Sequence, residues 1–158
     1  MESFTLDDKD RKILSLLQQD ATTPINEIAD AVGLSVSPCW RRIQKLDEHG
    51  YVERRVALLS PDKMNVGVTV FVNIRTNRHS EEWLDKFCKA AMRIPEIIDI
   101  YRMSGHIDYL LRVVVPDVAA FDTVYKRIIK ISDIHDVTSS FALERIKSTT
   151  ALPVHYAK

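Results

Sequence analysis

Cysteine is nearly absent from this sequence, and the two that occur, Cys39 and Cys88, stand far apart with no second cysteine beside either. That excludes a disulfide framework and the paired spacing of a structural zinc site. Both thiols are expected to be reduced, with Cys88 in a core. The histidines, His49, His79, His106, His135 and His155, follow no metal-ligand spacing, so no metal site is expected. Glycine is scarce as well, and no glycine-rich phosphate loop or nucleophile elbow is present, so neither a cofactor nor a catalytic residue is proposed. No apolar run approaches the ~18 residues of a membrane span, and the first 19 residues are charged and periodic where a signal peptide is continuously apolar. A cytoplasmic address with no membrane partner is expected. Net charge is missing too: 22 Lys and Arg balance 22 Asp and Glu, which argues against a general polyanion binder.

What is present is ordinary globular composition, 46% apolar and 28% charged over 158 residues, enough for one compact domain or two small ones. In the first third, Leu6, Ile13, Leu14 and Leu17 recur at helical spacing behind Asp7, Asp8 and Asp10, with Asp7 placed to cap the helix. A second, short helix is expected with Thr23 as cap, Pro24 at its first position, Ile25, Ile28, Ala29 and Val32 on one stripe, and Gly33 as its stop. A third begins at Ser35 or Ser37 and ends at Gly50. The alternation of "YVERRVALLSP" then predicts a small hairpin or single strand.

From Val68 onward strands and helices alternate as β-α-β-β-α-β: strands over residues 68–75, 97–103, 109–115 and 137–146, helices over 80–93 and 117–130. Apolar stripes run along both helices, Trp83, Leu84, Phe87, Cys88 and Ala91 in one and Val118, Phe121, Tyr125, Ile128 and Ile129 in the other. Two one-sided helices cover one face of a four-stranded antiparallel sheet, the split βαβ arrangement. The uncovered face, with its Val, Ile, Phe and Tyr, is expected to meet a partner sheet. The fold class is therefore α+β, with three units: residues 1–60 as a winged helix-turn-helix, 61–67 as a linker, and 68–158 as a ferredoxin-like βαββαβ domain.

Charge is local. Residues 1–60 hold 8 Lys and Arg against 10 Asp and Glu, whereas residues 35–55 hold 5 against 3. On the third helix, Val36, Cys39, Trp40, Ile43 and Leu46 are expected on the packed side. Ser37, Pro38, Arg41, Lys45 and Glu48 fall opposite, with Arg42 at the margin. A short helix, a glycine turn and a helix with a small polar start, followed by Arg54 and Arg55, make a major-groove reader with a wing over the phosphates of double-stranded DNA. Ser35, Ser37, Pro38, Arg41, Arg42, Lys45, Arg54 and Arg55 are the candidate DNA-binding residues. Arginine grips guanine O6 and N7 bidentately, while lysine holds phosphate without reading sequence. A solvated surface helix would carry the same charges.

Four stretches, "LDDKDRKIL", "IADAVGLSVSPCWRRIQKLDEHGYV", "MSGHIDYLLRV" and "VTSSFALERIKSTTALP", resemble the Lrp/AsnC family of feast/famine regulators, in order and over nearly the whole chain. The resemblance implies a winged helix-turn-helix joined to a ferredoxin-like effector domain, and homodimers built through the sheets that assemble into tetramers or octamers. It also implies an amino-acid effector. "SPCWRR", "SEEW" and "DVTSSFALE" are similar to a cysteine-responsive branch of that family, which makes cysteine the leading effector.

The family's Gly-x-x-Asp-Tyr turn matches Gly105 to Tyr109 here, with His106 and Ile107 between. The candidate effector-binding residues are Met103, Gly105, His106, Asp108, Tyr109, Thr138, Ser139 and Ser140. A carboxylate at Asp108 suits an α-ammonium, and turn N–H groups suit an α-carboxylate. The same residues also suit an ordinary hairpin. Two further readings stay open: an enzyme resembling siroheme decarboxylases, with His106 and Arg102 toward a tetrapyrrole, and a nucleoid-compacting protein, which the neutral pI disfavours.

Overall fold

The computed structural model of the chain describes residues 4–77, 80–131 and 134–157. They divide into two units, one of residues up to 57 together with 147 onward, the other of residues 58–146. No helix among the described residues is long and apolar enough to cross a membrane.

The first unit is built on α1 (Asp8–Gln19), α2 (Ile25–Val32) and α3 (Val36–Glu48). Asp7 caps α1 as expected, and reciprocally: its carboxylate accepts from Asp10 N–H at 2.8 Å while the Asp10 carboxylate accepts from Asp7 N–H at 3.1 Å, a capping box with aspartate at both ends. Helix α2 starts one residue later than the sequence predicts. Pro24 sits at its cap and the Thr23 hydroxyl donates to the Asp20 carbonyl instead. Gly33 ends α2 with φ +65°, the left-handed conformation that glycine adopts without steric penalty. Ile13, Ile28, Ala29, Val32, Cys39, Ile43 and Leu46, with Leu6, form the core.

Two expectations fail in this unit. Residues 52–60 carry no strand, because nothing among the described residues pairs with them, and an unpaired ribbon leaves its backbone groups to water. The C-terminal segment, read as part of the second domain, returns to α1. Gln18 donates to the Leu152 carbonyl at 2.9 Å and accepts from Leu152 N–H at 2.8 Å, and Arg11 donates to the Ala157 carbonyl.

The second unit holds β1 (Val68–Arg75), α4 (Glu81–Ala91), β2 (Ile97–Arg102), β3 (Tyr109–Val115), α5 (Val118–Ile128) and β4 (Asp136–Phe141). All neighbours are antiparallel in the order β2-β3-β1-β4, the expected split βαβ arrangement. Val70, Val72 and Ile74 of β1 and Tyr109, Leu111, Val113 and Val115 of β3 face the helices, where Trp83, Phe87, Ala91, Phe121, Val124 and Ile128 close over them. Val118 and Ile129, expected in the α5 stripe, are exposed, and Val124 takes the buried place. The last strand stops at Phe141, five residues short of the expectation, since its register with β1 ends at Val70 opposite Phe141.

The uncovered face is more polar than the sequence suggested. Phe71, Leu110, Val114 and Tyr101 lie there among Thr69, Asn73, Thr138 and Ser140, as the pairing register requires, and an Arg112–Asp99 ion pair crosses it. A bulge between Ile97 and Asp99 leaves Ile98 unpaired and outward, the ordinary consequence of one inserted residue.

Phe87 is fully buried, stacked on Trp83 with centroids 5.1 Å apart and tilted against Tyr109 at 5.1 Å. Replacing it with alanine empties the centre of the helix-sheet layer, so Phe87→Ala should lower stability by about 3–5 kcal/mol, measured by urea denaturation.

Candidate nucleic-acid interface and effector turn

Cys39, Ile43 and Leu46 anchor α3 to the core. The expected apolar stripe is narrower than drawn, for Val36 and Trp40 are 45% and 53% exposed. Ser35 is the N-cap, but its side chain makes no cap hydrogen bond. Ser37, Pro38, Arg41 and Lys45 are exposed, and no carboxylate among the described residues pairs with Arg41 or Lys45. Arg54 is likewise exposed and unpaired among the described residues, whereas one guanidinium nitrogen of Arg55 donates to both carboxylate oxygens of Asp47, each at 3.0 Å.

Arg42 is placed differently from the other basic residues. Its guanidinium nitrogen donates to Asp7 Oδ2 and to Asp10 Oδ1, each at 2.7 Å, so it turns toward α1 and binds the capping box. The Asp10 side chain is 5% exposed and that of Arg42 is 32% exposed. Burial alone raises the Asp7 carboxyl, but the Asp10 N–H and the Arg42 guanidinium outweigh it and hold it below the ordinary carboxylate value. Arg42 is therefore a clamp between helices, and the polar outward side of α3 carries Ser37, Pro38, Arg41, Lys45 and Glu48. The sequence carried no local sign of this, since the aspartates at the start of α1 read simply as a cap and complements to the helix dipole.

In the second unit, residues 103–108 form the turn between β2 and β3. Met103 N–H donates to the Asp108 carbonyl at 2.8 Å, Asp108 N–H to the Ile74 carbonyl at 2.9 Å, and Thr76 N–H to Asp108 Oδ2 at 2.7 Å. Gly105 has φ +129° with open space where a Cβ would stand, so its backbone conformation, not crowding, calls for glycine. His106 is exposed. Tyr109 is 5% exposed and faces the helices beside Trp83 and Phe87, where burial raises its hydroxyl above the usual tyrosine value. It belongs to the core side of the sheet.

Strand alternation divides the three hydroxyl residues of β4. Thr138 and Ser140 share the open face, and Thr138 accepts from Asn73 Nδ2 at 3.4 Å; Ser139 stands opposite Val72 on the helix side. Thr138 and Leu110 flank Asn73 on either side, two strand spacings or about 10 Å apart. The Asp108 carboxylate meets Thr76 just beyond the end of β1, while Thr138 and Ser140 stand on β4 opposite Asn73 and Phe71. A groove of ≈700 Å³, lined by Leu84, Asp85, Cys88, Met92, Arg102 and Tyr109 among others, adjoins the turn on its helix side. His79 lies outside the described residues, and among those described no group of His, Cys, Asp and Glu is arranged to hold a metal ion.

These two units fit known sequence families in the same order. Residues 6–53 match a winged helix-turn-helix DNA-binding domain and residues 69–152 the Lrp/AsnC ligand binding domain. The chain belongs to the Lrp/AsnC family. It is similar to the DNA-binding transcriptional activator DecR of Escherichia coli K12, 46% identical over 150 residues that cover 94% of this chain and 99% of the relative. The leucine-responsive regulatory protein of the same strain is 31% identical over 94% of this chain and 92% of its own. Among solved structures, an AsnC family transcriptional regulator from Agrobacterium tumefaciens superposes with a TM-score of 0.92 at 57% identity, covering 96% of this chain and 99% of that one. The NMB0573/L-Met complex from Neisseria meningitidis superposes with a TM-score of 0.91 at 35% identity, with the same coverage. The Lrp/AsnC relatives are transcriptional regulators rather than enzymes, so the decarboxylase reading is set aside, and the winged helix-turn-helix with its ligand-binding domain is the expected α+β fold.

Removing Arg42 strands the Asp10 carboxylate. Arg42→Ala should destabilise the first unit by about 1–2 kcal/mol, a range reduced for the partly exposed partners. A carboxyl with a lowered folded pKa stabilises the fold above its ordinary value and stops doing so as pH falls through the lowered one. The difference between wild type and Arg42→Ala should therefore be full at neutral pH and shrink in acid below the usual carboxylate range; thermal melts across pH provide the check.

Proposed function

We propose that this Lrp/AsnC protein is a cytoplasmic, sequence-specific regulator whose DNA affinity or assembly responds to a small amino acid. The observation that carries the DNA half is the unpaired basic face of α3, held outward by the Arg42 clamp. Arg41 reads a base, with guanine O6 and N7 its best partner, while Lys45 and the residues of the helix start, Ser35, Ser37 and Pro38, hold phosphates. Arg54, and Arg55 once it exchanges Asp47 for phosphate, extend the contact along the backbone. Arg41→Ala should then weaken specific binding by about 1–3 kcal/mol and relax preference at one base pair without loss of stability. Titration of a selected duplex against random DNA measures both effects.

The open sheet face, with Phe71, Leu110 and Val114 at its middle, supports a homodimer through the sheets, and dimers assembling to a tetramer or octamer. The Arg112–Asp99 pair offers self-complementary contacts across a two-fold axis. Leu110→Asp should shift the protein to monomers at micromolar concentration in sedimentation experiments, because a carboxylate buried without a partner opposes association.

For the effector, the turn around Gly105, His106 and Asp108 is the proposed site, with Met103 beside it and Thr138, Ser139 and Ser140 supplied where copies of the chain meet. Cysteine is the first candidate, from the branch resemblance; the Neisseria relative in its L-methionine complex supports a sulfur-containing amino acid. Asp108 offers negative charge for the ammonium while one oxygen keeps the Thr76 N–H. Asp108→Asn retains an acceptor there and removes the charge, so calorimetry should find amino-acid binding lost and DNA affinity without effector unchanged. The coupling between the two ligands is expected at about 1–3 kcal/mol.

A further inference from the structure

Trp40 is the fifth residue of α3, one turn inside the helix start, and 53% of its surface is exposed. Val36, four residues before it on the same side, is 45% exposed. The core beneath α3 is complete without either of them, through Cys39, Ile43 and Leu46. A large indole is therefore held at the edge of a polar, cationic surface, with Ser37 and Gln44 three and four residues away, the spacings that put side chains near one another on a helix, and Arg41 next in sequence, about 100° further round it. Arg41 has no acidic partner among the described residues, so a protein surface docking on Trp40 would have to meet an unpaired cation. The occupant that suits both is the floor of the major groove, where thymine C5-methyl groups are the apolar features among polar base edges and the surrounding phosphates are anionic.

We infer that Trp40, with Val36 behind it, is a specificity-determining residue that packs on a thymine C5-methyl group in each half-site. The inference rests on α3 being the DNA-reading helix. Aromatic contact of this kind adds sequence preference with no hydrogen bond, next to the base that Arg41 reads. It also accounts for a tryptophan that leaves 53% of its surface exposed in the free protein.

The test uses the full-length protein and a duplex recovered from random DNA by in vitro selection. Each thymine is replaced in turn by deoxyuridine, which removes the methyl group alone. Wild type should lose about fourfold in affinity per half-site at one thymine position, the equivalent of one buried methyl. Trp40→Ala should be weakened on the thymine duplex and indifferent to deoxyuridine at that position, while Trp40→Phe keeps part of the sensitivity and Arg41→Ala is weaker yet still senses the methyl. Unchanged affinity in Trp40→Ala, or undiminished sensitivity to deoxyuridine, with Arg41→Ala weakened as expected, overturns the role of Trp40 alone. No effect of either Trp40→Ala or Arg41→Ala overturns the reading of α3 itself. A smaller assembly for both Trp40→Ala and Trp40→Phe in sedimentation, without DNA, would assign the indole to a contact between copies and overturn the inference.

Discussion

The Arg42 guanidinium, shared between Asp7 and Asp10, sets the rotation of α3 about its own axis. One α-helical residue turns by about 100°, so once Arg42 faces α1, Arg41 faces away from it and Lys45 lies on the outer side. The core stripe of Cys39, Ile43 and Leu46 agrees with that setting and the clamp sharpens it. The same two carboxylates form the capping box of α1, so helix initiation and the presentation of the basic face depend on one cluster of charges. Because Asp10 is nearly buried, its partners are not interchangeable with solvent, and one guanidinium nitrogen of Arg42 serves both carboxylates.

A comparable constraint organises the second unit, at the end of β1. The Asp108 backbone N–H and carboxylate there meet the Ile74 carbonyl and Thr76 N–H. The turn 103–108 is thereby tied to the central pair of strands rather than hanging from β2 and β3. A ligand that draws on the Asp108 carboxylate acts on the group that terminates β1, whose open face lies between those of β3 and β4. In the proposed reading this contact would link the turn to the sheet surface, with a strength bounded by how differently the ligand binds the alternative assemblies.

Local signals made most of the fold legible. The Asp7 cap, the Gly33 stop and the 3.6-residue and two-residue periods located the helices and strands of the second unit and the three helices of the first, with only the end of the last strand misplaced by five residues. What stayed hidden depends on contacts between distant segments. Arg42 stood at the margin of the outward face and was grouped with Arg41 as a DNA contact, because nothing in "WRRIQK" records where α1 crosses. Trp40 read as core because apolarity at a helical position does not reveal whether another element covers it. Tyr109 belonged to the turn motif by sequence but to the helix-covered face by strand parity, and the same parity separates Ser139 from Thr138 and Ser140. The return of residues 147–157 to α1 rests on backbone groups of Leu152 and Ala157, which have no side-chain signature at all.

The neutral charge of the chain fits a nucleic-acid reader once the pairing is considered. Asp7 and Asp10 are engaged by Arg42, Asp47 by Arg55, Asp99 by Arg112, Glu96 by Arg127, and Asp85 and Asp122 by lysines one turn on. Each of these pairs contributes little long-range field, since its charges cancel over a few ångströms and salt screens the remainder within about 10 Å. Among the described residues Arg41, Lys45 and Arg54 are exposed without such partners, as are Glu48 at the end of α3 and Glu53 beyond it, so the local potential near α3 is set by these five charges. In the proposed reading α3 supplies the base contacts, and a chain without net charge disfavours indiscriminate coating of DNA, which rests on phosphate contacts alone.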